Sequence, residues 1–246
     1  MPSSGPPTEQ EIWRIARRTA KIIEDNISPN VCLFGSAASS LWADIDRVPN
    51  VRRATHLVFF RLKRLLLKTQ DIDIVVSEED LDPEDIKEAI VDADDRYYLV
   101  RSRKRGATYR ILYRRLPGYK TDPERCVKVD ILVPPTLGLP EIDESDVVLF
   151  DDIPVMPIFD LLVMKTQGWW DHRTSDRASF RAKESDDVSD ILALLKCAKE
   201  ERISYEDEAD EERHSEEFME HAMILAKRFV RIYGKQRRWR ALGFPV

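Results

Sequence analysis

The apolar positions of the chain first recur with helical spacing and then gather into short runs. In EIWRIARRTAKIIED, residues 11–25, they return every three or four positions, which predicts an amphipathic helix that ends near Asp25. SEEDLDPEDIKEAIVDAD begins with helix-capping residues and continues with Ile86 and Ile90 on one helical face. The apolar runs predict buried strands in VCLF, DIDIVV, YYLVRSR, ATYRILYRRL and CVKVDILVP.

After Pro134 and Pro135 the pattern becomes helical. YYLVRSR and ATYRILYRRL are joined through Arg105 and Gly106 as in a hairpin, so the predicted sheet mixes parallel and antiparallel pairs. The predicted fold class is α+β, with a mixed β-sheet and flanking helices followed by a C-terminal helical half. The helical segments of that half are IFDLLVMKTQGWW, DDVSDILALLKCAKEE and HSEEFMEHAMILAKRFVRIY.

These patterns divide the chain into three parts. Residues 1–10 are rich in Pro and Ser, lack the features of a signal peptide, and are predicted to be a disordered leader. Residues 11–135 form the α/β core, and residues 136–246 form a helical region that we expect to pack on that core. A length of 246 residues is compatible with one composite unit.

Composition narrows the class of protein. The chain is 43% hydrophobic and 34% charged, and no run approaches the roughly 20 apolar residues that cross a bilayer. We therefore expect no integral membrane association, and the cytoplasm, or the cytoplasm and the nucleus, as the location. Cys32, Cys126 and Cys197 are far apart and odd in number, which favours reduced, buried side chains over disulfides or a local metal-ligand pair.

The net charge of -6 disfavours non-specific binding to nucleic acid, but the charge is uneven. Basic residues cluster between Arg101 and Arg115 with tyrosines interleaved, a pattern that favours RNA or tRNA, although a charged outer sheet face explains it equally well. Acidic residues dominate from Glu200 to Glu217 and predict a solvated linker or helix start. His214 and His221 lie about two turns apart on a charged helix and are predicted to be solvated.

Two acidic residues begin the second apolar run. Because side chains two apart in a strand project to one face, Asp71 and Asp73 place two carboxylates side by side, while Ile72 and Ile74 point into the core. Such carboxylates repel each other unless a cation neutralises them, and oxygen ligands favour Mg²⁺ or Mn²⁺. Asp130, in VKVDILV, would supply a third carboxylate and complete a two-metal or a metal-plus-base site.

Gly35 and Ser36 follow the first predicted strand and precede a helix. A glycine allows close approach to the backbone, and the turn offers amide donors and a hydroxyl. These are the groups that bind a triphosphate whose other oxygens are held by Mg²⁺.

Taken in order, FGS at 34–36, DIDIVV at 71–76 and VKVDILV at 127–133 resemble the nucleotidyltransferase superfamily, which has the polymerase-beta-like fold. LLVMKTQGWWDHR at 161–173 and KESDDVSDILALL at 183–195 resemble the Lys-bearing helix and the Lys-x-x-Asp-Asp-x-x-Asp helix of fungal nucleotidyltransferase-like proteins. They are more distantly similar to abortive-infection toxin nucleotidyltransferases. The resemblance extends over most of the chain from about residue 31 to residue 195.

This resemblance implies roles for individual residues. Asp71 and Asp73 would ligate the metal ions that carry a nucleoside triphosphate, and Asp130 would be a further ligand or would activate the acceptor hydroxyl. Gly35 and Ser36 would hold the β and γ phosphates.

The resemblance also singles out Lys165 and Lys183, which would contact phosphate or pair with Asp187 and Asp190. The implied reaction transfers a nucleoside monophosphate from the triphosphate to a hydroxyl or phosphate acceptor and releases pyrophosphate. A small molecule, an RNA and a protein all stay open as the acceptor. The alternative is a catalytically inactive member of the same fold that binds a nucleotide or RNA.

Residues from about 45 to 68 separate the Gly-Ser turn from Asp71 and Asp73, whereas the resembled families usually join these motifs by one short helix and a turn. The extra segment is apolar with a narrow basic edge of Arg61, Arg64 and Lys68. It fits an insertion that lids the site, a basic element for an acidic partner, or a translated intron. If the segment cannot loop away from the sheet, the turn and the carboxylates would not meet.

Overall fold

The computed structural model describes residues 5–43, 71–78, 80–210 and 213–246. The predicted insertion, about residues 45–68, lies outside them. The described residues fall into two units by their internal contacts. The first contains residues 5–38, 71–78 and 80–156, and the second contains residues 39–43, 157–210 and 213–246.

A mixed sheet of seven described strands forms the first unit, in the order β3-β4-β5-β2-β1-β7-β6. The pairs β2–β5 and β1–β7 are parallel, and the other four pairs are antiparallel. The central position of β2 places its carboxylates between β1 and β5. The strands are β1 (Val31–Phe34), β2 (Asp71–Val76), β3 (Tyr97–Arg101), β4 (Arg110–Arg115), β5 (Cys126–Leu132), β6 (Val148–Phe150) and β7 (Ile153–Val155).

Two amphipathic helices cover one face of this sheet, α1 (Glu9–Asn26) and α3 (Pro83–Ala93). Thr8 and Glu11 form a capping box at the start of α1, so two backbone N–H groups that lack helical partners are satisfied. Asp82 caps α3, with a proline directly after it. The helix α2 (Gly35–Ala43) follows β1, and its residues 39–43 belong to the second unit.

All the regular secondary structure described in the second unit is helical. Aromatic packing fills its core, where the ring of Trp169 lies 5.0 Å from that of Phe229, and Phe229 lies 5.9 Å from Trp239. The helices α4, α6 and α8 are the long ones and pack through this core. The helices are α4 (Ile158–Thr174), α5 (Ala178–Arg181), α6 (Glu184–Glu200), α7 (Tyr205–Glu208), α8 (Glu216–Tyr233) and α9 (Gln236–Arg240).

The mixed sheet with flanking helices confirms the coarse fold class. The strands β6 and β7 differ from the helical expectation for residues 136–246, and the first unit continues to Met156. Each strand is three residues long, and the turn between them places Asp151 and Asp152 at positive φ, 49° and 61°. Strands this short carry no measurable periodicity, so the sequence pattern missed them.

The predicted disordered leader also differs from the structure in its described part. Thr8 caps α1, and the buried guanidinium of Arg125 donates to the carbonyls of Gly5 and Pro6 at 3.1 and 3.2 Å. Arg125 also pairs with Glu11 at 2.5 Å. Gly5, Pro6 and Glu11 are therefore held by a charged side chain that lies 114 to 120 positions further along the chain.

Cys32, Cys126 and Cys197 form no disulfide with one another. Cys32 and Cys197 are buried, as expected, whereas Cys126 is half-buried. No helix in the described part of the chain is both long enough and apolar enough to cross a membrane.

Candidate carboxylate site

Strand alternation divides β2 and β5 into a buried face and an open face. Ile72 and Ile74 are buried, as predicted, as are Val127 and Val129 on β5. The intervening side chains point to the other face and are half-buried or exposed: Asp71, Asp73, Lys128 and Asp130. All three carboxylates predicted from the sequence therefore share one sheet face.

The parallel register of β2 and β5 brings the predicted acids to neighbouring positions. Asp73 lies opposite Asp130, and Asp71 lies opposite Lys128. Adjacent strands are separated by about 4.8 Å, so the backbones of Asp73 and Asp130 lie at about that distance from each other. The pairing that the sequence could only anticipate is thus fixed by the hydrogen-bond ladder.

Gly35 meets the carboxylate of Asp73. The antiparallel register pairs Phe34 with Asp73, and Gly35 has a φ of +69°, a backbone conformation that favours glycine. A Cβ atom at residue 35 would lie 2.2 Å from the Oδ2 of Asp73. The half-buried Ser36 comes next, in the first turn of α2. The Gly-Ser turn and the Asp-x-Asp pair therefore do meet, despite the long segment between them in sequence.

Lys128 is the residue of this face that the sequence patterns did not identify. Its Nζ donates to the Oδ2 of Asp130. Burial works against its charge, but the bond to Asp130 and the charges of Asp130, Asp71 and Asp73 outweigh it and raise the pKa of Lys128. The ammonium thus binds Asp130 and offsets part of the negative charge of Asp71 and Asp73. The sequence VKVDILV could have identified it, because Lys128 stands two residues before Asp130 in a predicted strand, and side chains two apart share one face.

The donor chemistry of this face fits a hard divalent cation, since three carboxylates lie on two adjacent strands. Among the described residues, however, no three acidic, histidine or cysteine side chains already converge as a metal-binding group. The ammonium of Lys128 binds one oxygen of Asp130 and lies within the field of the other two acids. Asp71, Asp73 and Asp130 are the residues that would hold the ion.

The two predicted lysines belong to the second unit. Lys165 on α4 is buried and pairs with Asp190 at 2.7 Å and with Asp187 at 3.9 Å, both on α6. Lys183 is exposed at the N-cap position of α6, where its Nζ lies 5.7 Å from the ring centre of Phe180. The structure therefore assigns the expected pairing with Asp187 and Asp190 to Lys165.

Two histidines of the second unit have buried or half-buried partners. His172 bonds to the Oδ2 of Asp187 through Nδ1, at 2.6 Å. His214, which the sequence predicted to be solvated, is buried instead: its Nε2 lies 2.7 Å from the Oδ1 of Asp160, and its Nδ1 lies 2.9 Å from the backbone oxygen of Glu208. The prediction was wrong because it was based on the charged residues next to His214 in sequence, whereas the side chain of His214 packs against Asp160 of α4.

Both ring nitrogens of His214 therefore face oxygen acceptors, an arrangement that suits the doubly protonated imidazolium. Burial opposes that charge, but the bond to Asp160 and the charges of Asp160 and Glu208 outweigh it and raise the pKa of His214. Burial also raises the pKa of Glu208, although Arg213 and His214 act against this shift. His214 thus serves as a buried counter-charge inside the second unit.

Comparison of the chain with protein-family models, with curated proteins and with solved structures returned no match.

Proposed function

We propose that the protein is a metal-dependent nucleotidyltransferase, which transfers a nucleoside monophosphate from a nucleoside triphosphate to an acceptor and releases pyrophosphate. The observation that carries this proposal is the meeting of Gly35 with Asp73 on a sheet face that also holds Asp71 and Asp130. Together these residues supply carboxylates for Mg²⁺ or Mn²⁺ beside a turn suited to phosphate.

Each residue has a defined task in this proposal. Asp71, Asp73 and Asp130 would hold the divalent ion, which when bound neutralises charge on the triphosphate and on the leaving pyrophosphate. Gly35 and Ser36, in the turn that meets Asp73, would hold the β and γ phosphates. The gain in rate would come from positioning and charge stabilisation.

Lys165 and Lys183 have separate places in this proposal. Lys165 lies in a buried ion pair, so its first task is to neutralise Asp187 and Asp190. Lys183 is exposed, and its ammonium is accessible for phosphate. The proposal therefore gives Lys165 the role of holding α4 against α6. The phosphate contact of Lys183 stays a prediction from the resemblance.

The direct test measures pyrophosphate release from each of the four nucleoside triphosphates with Mg²⁺ and a cell extract as the source of acceptor. Asp71→Asn combined with Asp73→Asn should abolish release and leave the circular dichroism spectrum unchanged. Asp85→Asn combined with Asp92→Asn removes the same charge from α3 and is the matched control. Equal release by the site variant and the wild type would refute the proposal.

A second candidate is a non-catalytic protein that binds a nucleotide through the same residues. The contact of Lys128 with Asp130 favours this second candidate, because the Lys128 ammonium can offset carboxylate charge without a metal ion. Calorimetry with a triphosphate would then show binding, while prolonged incubation with Mg²⁺ and the extract would yield no labelled product.

A further inference from the structure

The carboxylate face of the sheet continues across β4 and β3 as a surface of aromatic rings. Tyr113 lies opposite Lys128 on β5 and opposite Tyr98 on β3. The rings of Tyr98 and Tyr113 stack with their centres 5.7 Å apart, and the ring of Tyr119 lies 5.8 Å from that of Tyr98. The guanidinium of Arg115 lies 4.3 Å from the centre of the Tyr98 ring. We call these four side chains the aromatic shelf.

The aromatic shelf lies on the face of the sheet that turns away from α1 and α3. Val100, two residues after Tyr98, lies on the same face and keeps 38% of its surface exposed. Tyr109, which directly precedes β4, keeps 46%. The opposite face contains Tyr97, which is buried and shares a hydrogen bond of 2.7 Å with Thr19. Of the two tyrosines in β3, Tyr97 is therefore buried in the core, and Tyr98 lies half-buried on the opposite face.

Three cations lie in the turn of the β3–β4 hairpin. All three are exposed, and none has a carboxylate partner within the described part of the chain: Arg103, Lys104 and Arg105. Arg101 lies opposite Arg110 and faces the other side of the sheet. By contrast, Arg110 on β4 pairs with Glu84 and Glu88, and Arg114 lies 3.6 Å from Asp94. Positive charge without a carboxylate partner, on the same hairpin as the half-buried rings of Tyr98 and Tyr113, is complementary to a chain of phosphates and bases.

The spacing of the strands relates the aromatic shelf to the carboxylates. Neighbouring strands lie about 4.8 Å apart and residues two apart in a strand about 6.6 Å, so the backbone of Tyr113 is roughly 8 Å from that of Asp130. One nucleotide can bridge such a distance. A base stacked at Tyr113 would therefore leave its sugar hydroxyl near the carboxylates.

We propose that the aromatic shelf and the hairpin cations bind single-stranded RNA and present its terminal hydroxyl as the acceptor. RNA fits better than DNA because its loops and ends display unpaired bases, whereas DNA bases are normally paired and stacked. The acceptor role rests on the proposed function, but the binding of RNA does not.

Fluorescence anisotropy of the full chain with a labelled ten-nucleotide single-stranded RNA, without triphosphate or metal, tests the binding. Tyr113→Leu should weaken binding about fivefold to a hundredfold without changing its salt dependence, since it removes stacking alone. Combined Arg103→Gln, Lys104→Gln and Arg105→Gln should lower the slope of log K against log salt by about 2, because each phosphate contact contributes about 0.7.

A matched control removes three exposed cations from the second unit: Lys227→Gln, Arg231→Gln and Arg237→Gln. Equal effects of the two triple variants would overturn the proposal, since they would reflect net charge alone. Since the hairpin cations are exposed, their replacement keeps the test valid even if Tyr113→Leu fails to fold. Equal affinity for DNA of the same sequence would overturn the assignment to RNA.

The same assays separate this proposal from the proposed function. The Asp71→Asn and Asp73→Asn double variant should bind the RNA at least as well as the wild type. Binding without turnover by the wild type supports the RNA surface and refutes the enzyme. Triphosphate turnover by a protein that does not bind the RNA refutes the surface alone.

Discussion

Gly35 and Asp73 are in such close contact that residue 35 has no space for a side chain, because an added Cβ would lie 2.2 Å from the Oδ2 of Asp73. The contact joins two motifs that are separated by more than thirty positions in the sequence. It also fixes which oxygen of Asp73 faces the Gly-Ser turn. The first prediction follows from this contact.

Gly35→Ala should destabilise the protein by more than the about 1–2 kcal/mol that a left-handed conformation costs a non-glycine residue, because the carboxylate of Asp73 must also move. Urea denaturation measures the change. Gly106→Ala is the matched control, since Gly106 has a φ of +80° and nothing within 4 Å of its added Cβ. Equal losses for the two variants would show that Asp73 can move without cost.

Lys128→Met should raise the affinity for Mn²⁺ by about tenfold or more, because the ammonium and the metal ion compete for the same carboxylates and like charges near 4 Å repel by a few kcal/mol. Titration by electron paramagnetic resonance counts the bound Mn²⁺ without reference to activity. Lys128→Arg keeps the charge and should remain near the wild type, as should Lys120→Met on the exposed surface. An unchanged affinity in Lys128→Met would exclude competition by this side chain.

Lys165→Met should destabilise the second unit by about 3–5 kcal/mol, because it removes the buried ammonium that pairs with Asp187 and Asp190. Adding Asp190→Asn should recover part of that loss, and the double-mutant cycle gives the coupling energy. Lys183→Met, at an exposed position, should change stability by less than about 0.5 kcal/mol. A neutral effect of Lys165→Met would contradict its structural role.

The stability of the protein should fall as the pH rises through the raised pKa of His214. A group whose folded pKa exceeds its unfolded value contributes fully below that unfolded value, about 6.5 for histidine, and loses its contribution as it deprotonates. Glu208 acts in the same direction above its ordinary carboxyl pKa, because burial raises its pKa. The groups facing His214 are Asp160 from α4 and Glu208 from α7, with Arg213 pairing with Glu208.

Urea midpoints between pH 5.5 and 8.5 measure this dependence. His214→Gln should remove the part of it that belongs to the imidazolium and lower stability most at the acidic end. His221→Gln is the control, because His221 bonds to the neutral amide of Gln167. A wild-type curve parallel to that of His214→Gln would show that His214 carries no differential charge.

The elements that the sequence predicted well were those with long or repeated patterns. The helical spacing through Ile12, Ile15 and Ile23 gave α1, and the alternation in DIDIVV and CVKVDIL gave the buried and open faces of β2 and β5. A strand's alternation is a local property, so it can be predicted without knowledge of the partner strand.

Features that depend on partners distant in sequence could not be predicted from such local patterns. The counter-charge at Lys128 required the register of β2 and β5, the burial of His214 required α4, and the turn at Asp151 required two three-residue strands. Each depends on which segments meet, and spacing within one segment carries no information about that.

The contacts of Arg125 with Gly5, Pro6 and Glu11 form late in synthesis of the chain. The ribosome makes Glu11 first and Arg125 114 positions later, which at about 5–20 residues per second is roughly 6 to 23 seconds. During that interval α1 lacks the ion pair between Glu11 and Arg125, and its apolar face lacks strand β7 as a packing partner. Nascent chains should therefore be most vulnerable to aggregation and to chaperone capture until the strands after Arg125 have emerged.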